Sequence, residues 1–228
     1  MTRWTPLRLL VLPVLCGLMM TGAPAAGASA LPHGLGPFKT AGWDGYYDKY
    51  SGGHTYSEVS GTWVEPKINC PSTGASALAT FVALDGYTHT TDQQIVGTAA
   101  QCDNGQATYI SWYQMYPSGA VLGGPKVQPG DTITASITKT GSKKYKLELT
   151  DATTAGNNIN AATTCAATCP DTSAGWIALI DTPAAFQSWK VTDATVKSGT
   201  VTGVISTFPY ARMGASSLNA TGNGFKVS

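Results

Sequence analysis

Charge is scarce in this chain. Lysine, arginine, aspartate and glutamate together make up 12% of its 228 residues, and the signs nearly cancel at 14 basic against 13 acidic. No basic run exists, so the electrostatic footprint of a nucleic-acid binder is missing and no nucleic-acid partner is expected. Histidine is rarer still, with only His33, His54 and His89. None of the three sits near a cysteine and no His-Glu-x-x-His string occurs, so neither a metal nor any other cofactor is expected. A Gly-x-Ser-x-Gly elbow and a phosphate-binding glycine loop are absent too. Nothing in the spacing supports a Ser-His-Asp triad on His54 or His89, and surface loop histidines are the simpler reading. Beyond the first thirty residues no run approaches the roughly 20 apolar residues that a membrane span requires.

What is present begins with an export signal. Arg3 and Arg8 form a positive start, Leu9 to Met20 a short apolar core, and Ala28-Ser29-Ala30 a small-x-small cleavage site. Cys16 lacks the small preceding residues of a lipoprotein signal. Residues 1–30 are therefore read as a signal peptide, 31–41 as a Pro- and Gly-rich leader, and 42–228 as one domain. The mature protein is expected to be secreted, free of the membrane and monomeric. Cleavage removes two basic residues and no acid, leaving twelve basic against 13 acidic, a net charge of −1.

Four cysteines remain: Cys70, Cys102, Cys165 and Cys169. In an oxidising compartment an even count reads as two disulfides, with three possible pairings. Cys70–Cys102 and Cys165–Cys169 are favoured, because each closes a loop between neighbouring strand candidates.

Segments of alternating apolar and polar residues, bounded by Gly, Pro, Asn or Asp, recur along the mature chain. They are Thr55–Glu65, Ala77–Leu84, Gln93–Thr98, Ala107–Tyr116, Asp131–Thr140, Lys144–Thr150, Gly175–Asp181, Trp189–Ala194 and Ser217–Val227. No capped window of helical period interrupts them. The fold class is all-β, an antiparallel sandwich, and Trp63 and Trp189 are assigned to its core.

Seven strings, in order, carry a resemblance. They are Gly42-Trp43-Asp44-Gly45-Tyr46, Val59-Ser60-Gly61-Thr62-Trp63-Val64-Glu65-Pro66, Phe81-Val82-Ala83-Leu84-Asp85-Gly86-Tyr87 and Gln94-Ile95-Val96-Gly97-Thr98. Trp112-Tyr113-Gln114-Met115-Tyr116-Pro117, Pro129-Gly130-Asp131-Thr132-Ile133 and Ser173-Ala174-Gly175-Trp176-Ile177 complete the set. In order and spacing the chain resembles the G1 glutamic peptidases, or eqolisins, over residues 42–227. The resemblance implies two curved antiparallel sheets with a concave, peptide-binding cleft. It also implies acid proteolysis by a glutamate that acts as base on a water and a glutamine whose amide polarises the carbonyl.

Carried onto this sequence, the resemblance puts Gln94 at the catalytic glutamine, with Val96 as a one-residue insertion before Gly97. Asp85 and Tyr116 fall on cleft positions. Ala174 to Leu179 falls on the pattern Ala-Glu-Trp-Ile-Val-Glu, whose second glutamate is catalytic; here that residue is Leu179. Gly175 stands for the first glutamate, Gln114 for the glutamate of Trp-Tyr-Glu-x-Tyr-Pro, and Ile110 where some members carry aspartate. Asp181 is the remaining carboxylate on that strand face, displaced by roughly 6.7 Å along the strand from Leu179. It is a weak candidate for a substitute base and a better one for opening the Asp181-Thr182-Pro183 turn.

The leading functional expectation is a cleft that binds a peptide, glycan or small molecule without proteolysis, using Gln94, Trp112, Gln114, Tyr116, Gly175 and Trp176 around Leu179. An acid endopeptidase with Gln94 and a relocated carboxylate, Asp181 or Asp85, is the alternative, and another enzyme activity in the same cleft is a third. Asn219-Ala220-Thr221 is also a glycosylation sequon, relevant where the source glycosylates secreted proteins.

Overall fold

Strands that are apolar on one side pair edge to edge and then pack face to face. The computed structural model describes residues 42–49, 53–87, 91–124, 127–154, 159–166, 168–181 and 185–228. The expected signal peptide and leader, His33 and His89 lie outside the described residues. In chain order the strands are β1 (Trp43–Lys49), β2 (Tyr56–Val64), β3 (Ile68–Asn69), β4 (Ala75–Leu84), β5 (Gln94–Asp103), β6 (Gln106–Met115), β7 (Val121–Leu122) and β8 (Thr132–Gly141). They continue with β9 (Lys144–Asp151), β10 (Ile159–Thr164), β11 (Ser173–Asp181), β12 (Ala185–Phe186), β13 (Trp189–Ser198), β14 (Val201–Val204), β15 (Tyr210–Met213) and β16 (Phe225–Val227).

Two seven-stranded antiparallel sheets form the sandwich. Sheet A runs β15-β1-β11-β4-β5-β6-β7. Sheet B runs β10-β9-β8-β2-β13-β14, with β16 also paired to β13. The all-β architecture is the expected one. Ser217–Val227 differs, for only its last three residues form a strand. Asn219 Oδ1 accepts the backbone N–H groups of Asn223 and Gly224, which turns the chain before β16 begins. β1 was not expected as a strand. Its inward side carries Tyr46 and Asp48, both buried, and an inward acid breaks the apolar period on which such a reading depends.

The core between the sheets is aromatic at its centre. Trp63 and Trp189 meet edge to face at 6.0 Å, and Phe225 meets Trp189 at 5.6 Å. Trp176 reaches across from sheet A and donates its indole N–H to the Ser60 carbonyl at 2.7 Å. Glu65 is buried here as well, accepting from Thr98 Oγ1 at 2.5 Å and from Trp63 Nε1 at 3.3 Å. Burial lifts its carboxyl to about 7.

The chain is cross-linked at two places, Cys70–Cys102 and Cys165–Cys169. The first spans 32 residues, a loop whose closure stabilises by roughly 3–4 kcal/mol in the chain-entropy account. The second lies in the segment leading to β11, which ties the sheets together. Asp171 in that segment pairs with Lys139 of β8 and accepts from Tyr145 Oη of β9 at 2.7 Å. The neighbouring backbone N–H groups of Asp171 and Thr172 donate to Asp85, at the end of β4, at 2.9 and 2.7 Å.

Asp48 differs from these satisfied acids. It is fully buried and neither carboxylate oxygen has a hydrogen-bond partner. Desolvation pushes it up to about 9. Because the folded pKa is raised, the native state binds the proton more tightly than the unfolded chain. Stability is therefore greatest in acid and falls as pH rises from the ordinary aspartate range towards about 9. Asp48→Asn keeps the shape and removes the titration. Urea unfolding should find this variant close to wild type at about pH 4 and more stable by about 1–3 kcal/mol at about pH 8.

Candidate functional site

Alternation along each strand gives sheet A a second face, turned away from sheet B. The unbroken registers of β1, β11, β4, β5 and β6 arrange this concave face in three rows. One runs Tyr47, Gly175, Ala83, Ile95, Gln114, and the next Gly45, Ile177, Phe81, Gly97, Trp112. The third runs Trp43, Leu179, Ala79, Ala99, Ile110. Their larger side chains form an apolar cluster separate from the inter-sheet core, and Tyr87, Ala120 and Met213 border it. Rings connect across it: Tyr87 tilted against Tyr47 at 5.7 Å, Tyr47 stacked on Trp43 at 6.1 Å, and edge-to-face contacts of Trp43 with Phe81 at 6.1 Å and of Phe81 with Trp112 at 5.9 Å.

No position in these rows carries a carboxylate. The one titratable side chain is Tyr47, whose phenol burial holds well above its ordinary range. Polar handles are few. Gln93 Nε2 donates to Tyr47 Oη at 3.0 Å, and Gln114 Nε2 donates to the Ser118 carbonyl at 2.8 Å. Trp112 Nε1 is buried without an acceptor.

Leu179, Gly175, Trp112 and Gln114 all stand on this face, spread over its three rows. The structure does not bring Gln94 or Trp176 to them. Gln94 faces the interior, fully buried, with its amide donating to the Asp92 carbonyl and to Cys169 Sγ at 3.0 Å. The reason is register. β4 and β5 pair without a shift from Ala75↔Asp103 to Leu84↔Gln94, so no bulge absorbs the supposed insertion at Val96. Two residues before Gly97, on the concave side, stands Ile95. Trp176 sits between Gly175 and Ile177 and so must point inward.

Other expected residues take structural positions. Asp85 is fully buried and accepts the N–H groups described above, while burial raises it to about 7. It serves the junction between sheets. Tyr116 lies just past β6, half-buried, and its backbone N–H donates to the Gln93 carbonyl at 2.8 Å. Asp181 pairs in register with Ala77, one row beyond Leu179. Leu179 and Ile95 are themselves two strands and four residues apart, roughly 16 Å between backbone positions. Gly175 is the β11 position level with Ile95.

Sequence reading passed over Gln93, Tyr47 and Ile95. The unbroken spacing back from Gly97 would have placed Ile95. Tyr47 and Gln93 needed the fold, because their contact joins residues 46 positions apart.

Gly175 and Tyr47 are a matched pair. A Cβ built on Gly175 would overlap the Tyr47 ring. Gly175→Ala should therefore destabilise by about 1–3 kcal/mol despite being a small change. In a Tyr47→Ala background, itself costing about 3–5 kcal/mol, the same change should be nearly neutral. A double-mutant cycle by urea unfolding reads the coupling, and equal costs in both backgrounds would remove the steric explanation.

Comparison with known proteins gives the arrangement its relatives. The Peptidase A4 family matches residues 41–217. No curated protein matches the sequence. Among solved structures the chain is similar to Scytalido-glutamic peptidase with a peptide based transition state analog, at TM-score 0.67 and 20% identity, covering 81% of this chain and 96% of that one. It is similar to SCP-B, a member of the Eqolisin family in a complex with the tripeptide Ala-Ile-His, at TM-score 0.63, 18% identity, 81% and 96% coverage. It is also similar to aspergilloglutamic peptidase from Aspergillus niger, at TM-score 0.56, 21% identity, 66% and 96% coverage. At these identities the structural likeness is one of fold, and the assignment rests on the family match over most of the sequence: the chain belongs to the Peptidase A4 family, with the fold of the G1 peptidases.

Proposed function

We propose that this is an exported member of the family that binds an apolar peptide segment at its concave face and does not cleave it by the glutamic mechanism. One observation carries the reading: fifteen register positions across five strands contain no carboxylate. Taking a proton from water requires a base within hydrogen-bond reach, and neither Leu179 nor Gly175 has one to offer. Gln94, at the place expected for the glutamine, faces the other way. Asp85 and Glu65 are committed to internal hydrogen bonds on the interior side.

Binding is favoured by what the face does offer. Apolar and aromatic walls with a few fixed polar groups suit a peptide's side chains. Two similar structures hold a peptide-based analog and a tripeptide. Two disulfides fit an oxidising compartment, and among the described residues no helix is long and apolar enough to cross a membrane.

Casein digestion by the purified mature protein should be negligible from strong acid to neutral pH, because losing a general base costs about 10²–10⁴-fold in rate. Leu179→Glu alone should restore nothing. The tripeptide Ala-Ile-His should change tryptophan fluorescence saturably, and Trp112→Phe should reduce that change. Robust acid digestion abolished by Gln94→Ala would overturn the reading. Loss of that activity in Asp181→Asn with survival in Asp85→Asn would assign the base to Asp181.

A further inference from the structure

A second concavity, of about 420 Å³, lies on sheet B, away from the face just described. β13 and β16 form its floor, and residues Ser216, Ser217 and Asn219 wall it. Trp189 and Val191 of β13 are fully buried, so Lys190 and Thr192 between and beyond them point outward. Lys190 is the register partner of Lys226 on β16. Like charges directly opposite on one sheet face repel. No carboxylate relieves them: the two ion pairs among the described residues are Lys139–Asp171 and Lys146–Glu148. A third cation stands beside the wall, where Arg212 Nη1 donates to Ser217 Oγ at 3.0 Å.

The wall is fixed in place. Tyr46 Oη donates to the Ser216 carbonyl at 2.6 Å. Ser216 N donates to the Lys226 carbonyl at 2.8 Å, and Lys226 N returns a bond to Ser216 Oγ at 3.0 Å. Asn219 N donates to the Gly224 carbonyl at 2.8 Å. In a chain whose charges nearly cancel, three cations with no ion-pair partner among the described residues thus gather around one preformed hollow lined with hydroxyl and amide groups.

We propose that this hollow binds an oxyanion carried on a sugar-sized molecule, a phosphate or sulfate ester of a monosaccharide. Lys190 and Lys226 take the anion, which removes their mutual repulsion through charge-assisted hydrogen bonds. The volume lies in the range of small-molecule sites and exceeds what a lone oxyanion fills, so the ring occupies the remainder. Thr192 and Ser217 supply hydroxyl groups for its hydroxyls, while Asn219 is held by Asn223 and Gly224 and shapes the wall. The site is independent of the concave face and of any reading of it.

The test is an amide NMR titration of the mature protein at low ionic strength with glucose 6-phosphate and glucose 6-sulfate. Saturable shifts should centre on Lys190, Lys226 and Ser217. Lys190→Ala and Lys226→Ala should each weaken binding about tenfold, Lys190→Arg should retain it, and Lys146→Ala should leave it unchanged. A sulfated disaccharide binding more tightly than the monosaccharide esters places the anion on a glycan chain; the reverse order places it on a free sugar ester. Inorganic phosphate binding as tightly as glucose 6-phosphate overturns the sugar-sized ligand. Glucose binding as tightly overturns the anion site, and so does full affinity in the double alanine variant.

Discussion

A β-strand offers its side chains two faces and nothing between them. In sheet A that restriction decides nearly everything, because the pairing of β11, β4 and β5 runs without a bulge from end to end. Once Leu84 and Trp176 are committed to the inter-sheet core, Ala83, Gly175 and Ile177 must face the other way. Gln94 and Ile95 are sorted by the same rule. A slip of one residue in β11 would carry Trp176 out of the inter-sheet core and turn Gly175 and Ile177 into it, so the register tolerates no local compromise.

The sheets are held at one end by carboxylates rather than by apolar packing alone. Asp85 takes two backbone N–H groups from the segment leading into β11, and Asp171 in that segment reaches Lys139 and Tyr145 in sheet B. Each of these acids is buried yet partnered, which is the condition under which a buried carboxyl stabilises rather than costs. Asp48 lacks that condition. In acid it stays neutral and costs least.

Much of this was legible in the sequence. Period-two alternation between turn residues gave the long central strands of both sheets and the tryptophan core, and the cysteine spacing gave the pairing found; the short outer strands β7, β10, β14 and β15 carry too few residues for a period to show. The alternation also put Gly175, Ile177 and Leu179 on one face. What failed was placement that depends on register across strands. Gln94 was read from a string resemblance that tolerated an insertion, whereas the paired strands do not. Trp176 came to the cleft through the string resemblance, although its chain neighbours Gly175 and Ile177 already occupy that face. The strand β1 hid behind an inward aspartate, and the Tyr47–Gln93 contact joins parts of the chain that no local pattern connects.

The fit of Tyr47 beneath Gly175 has a consequence in evolutionary time. A side chain can enter position 175 only if the ring at 47 has first withdrawn, and withdrawing the ring first leaves a cavity in an apolar cluster. Either order passes through a less stable intermediate. The two residues lock one another: with phenol and glycine fitted together, no single substitution places a side chain at that point in the sheet without a loss of stability.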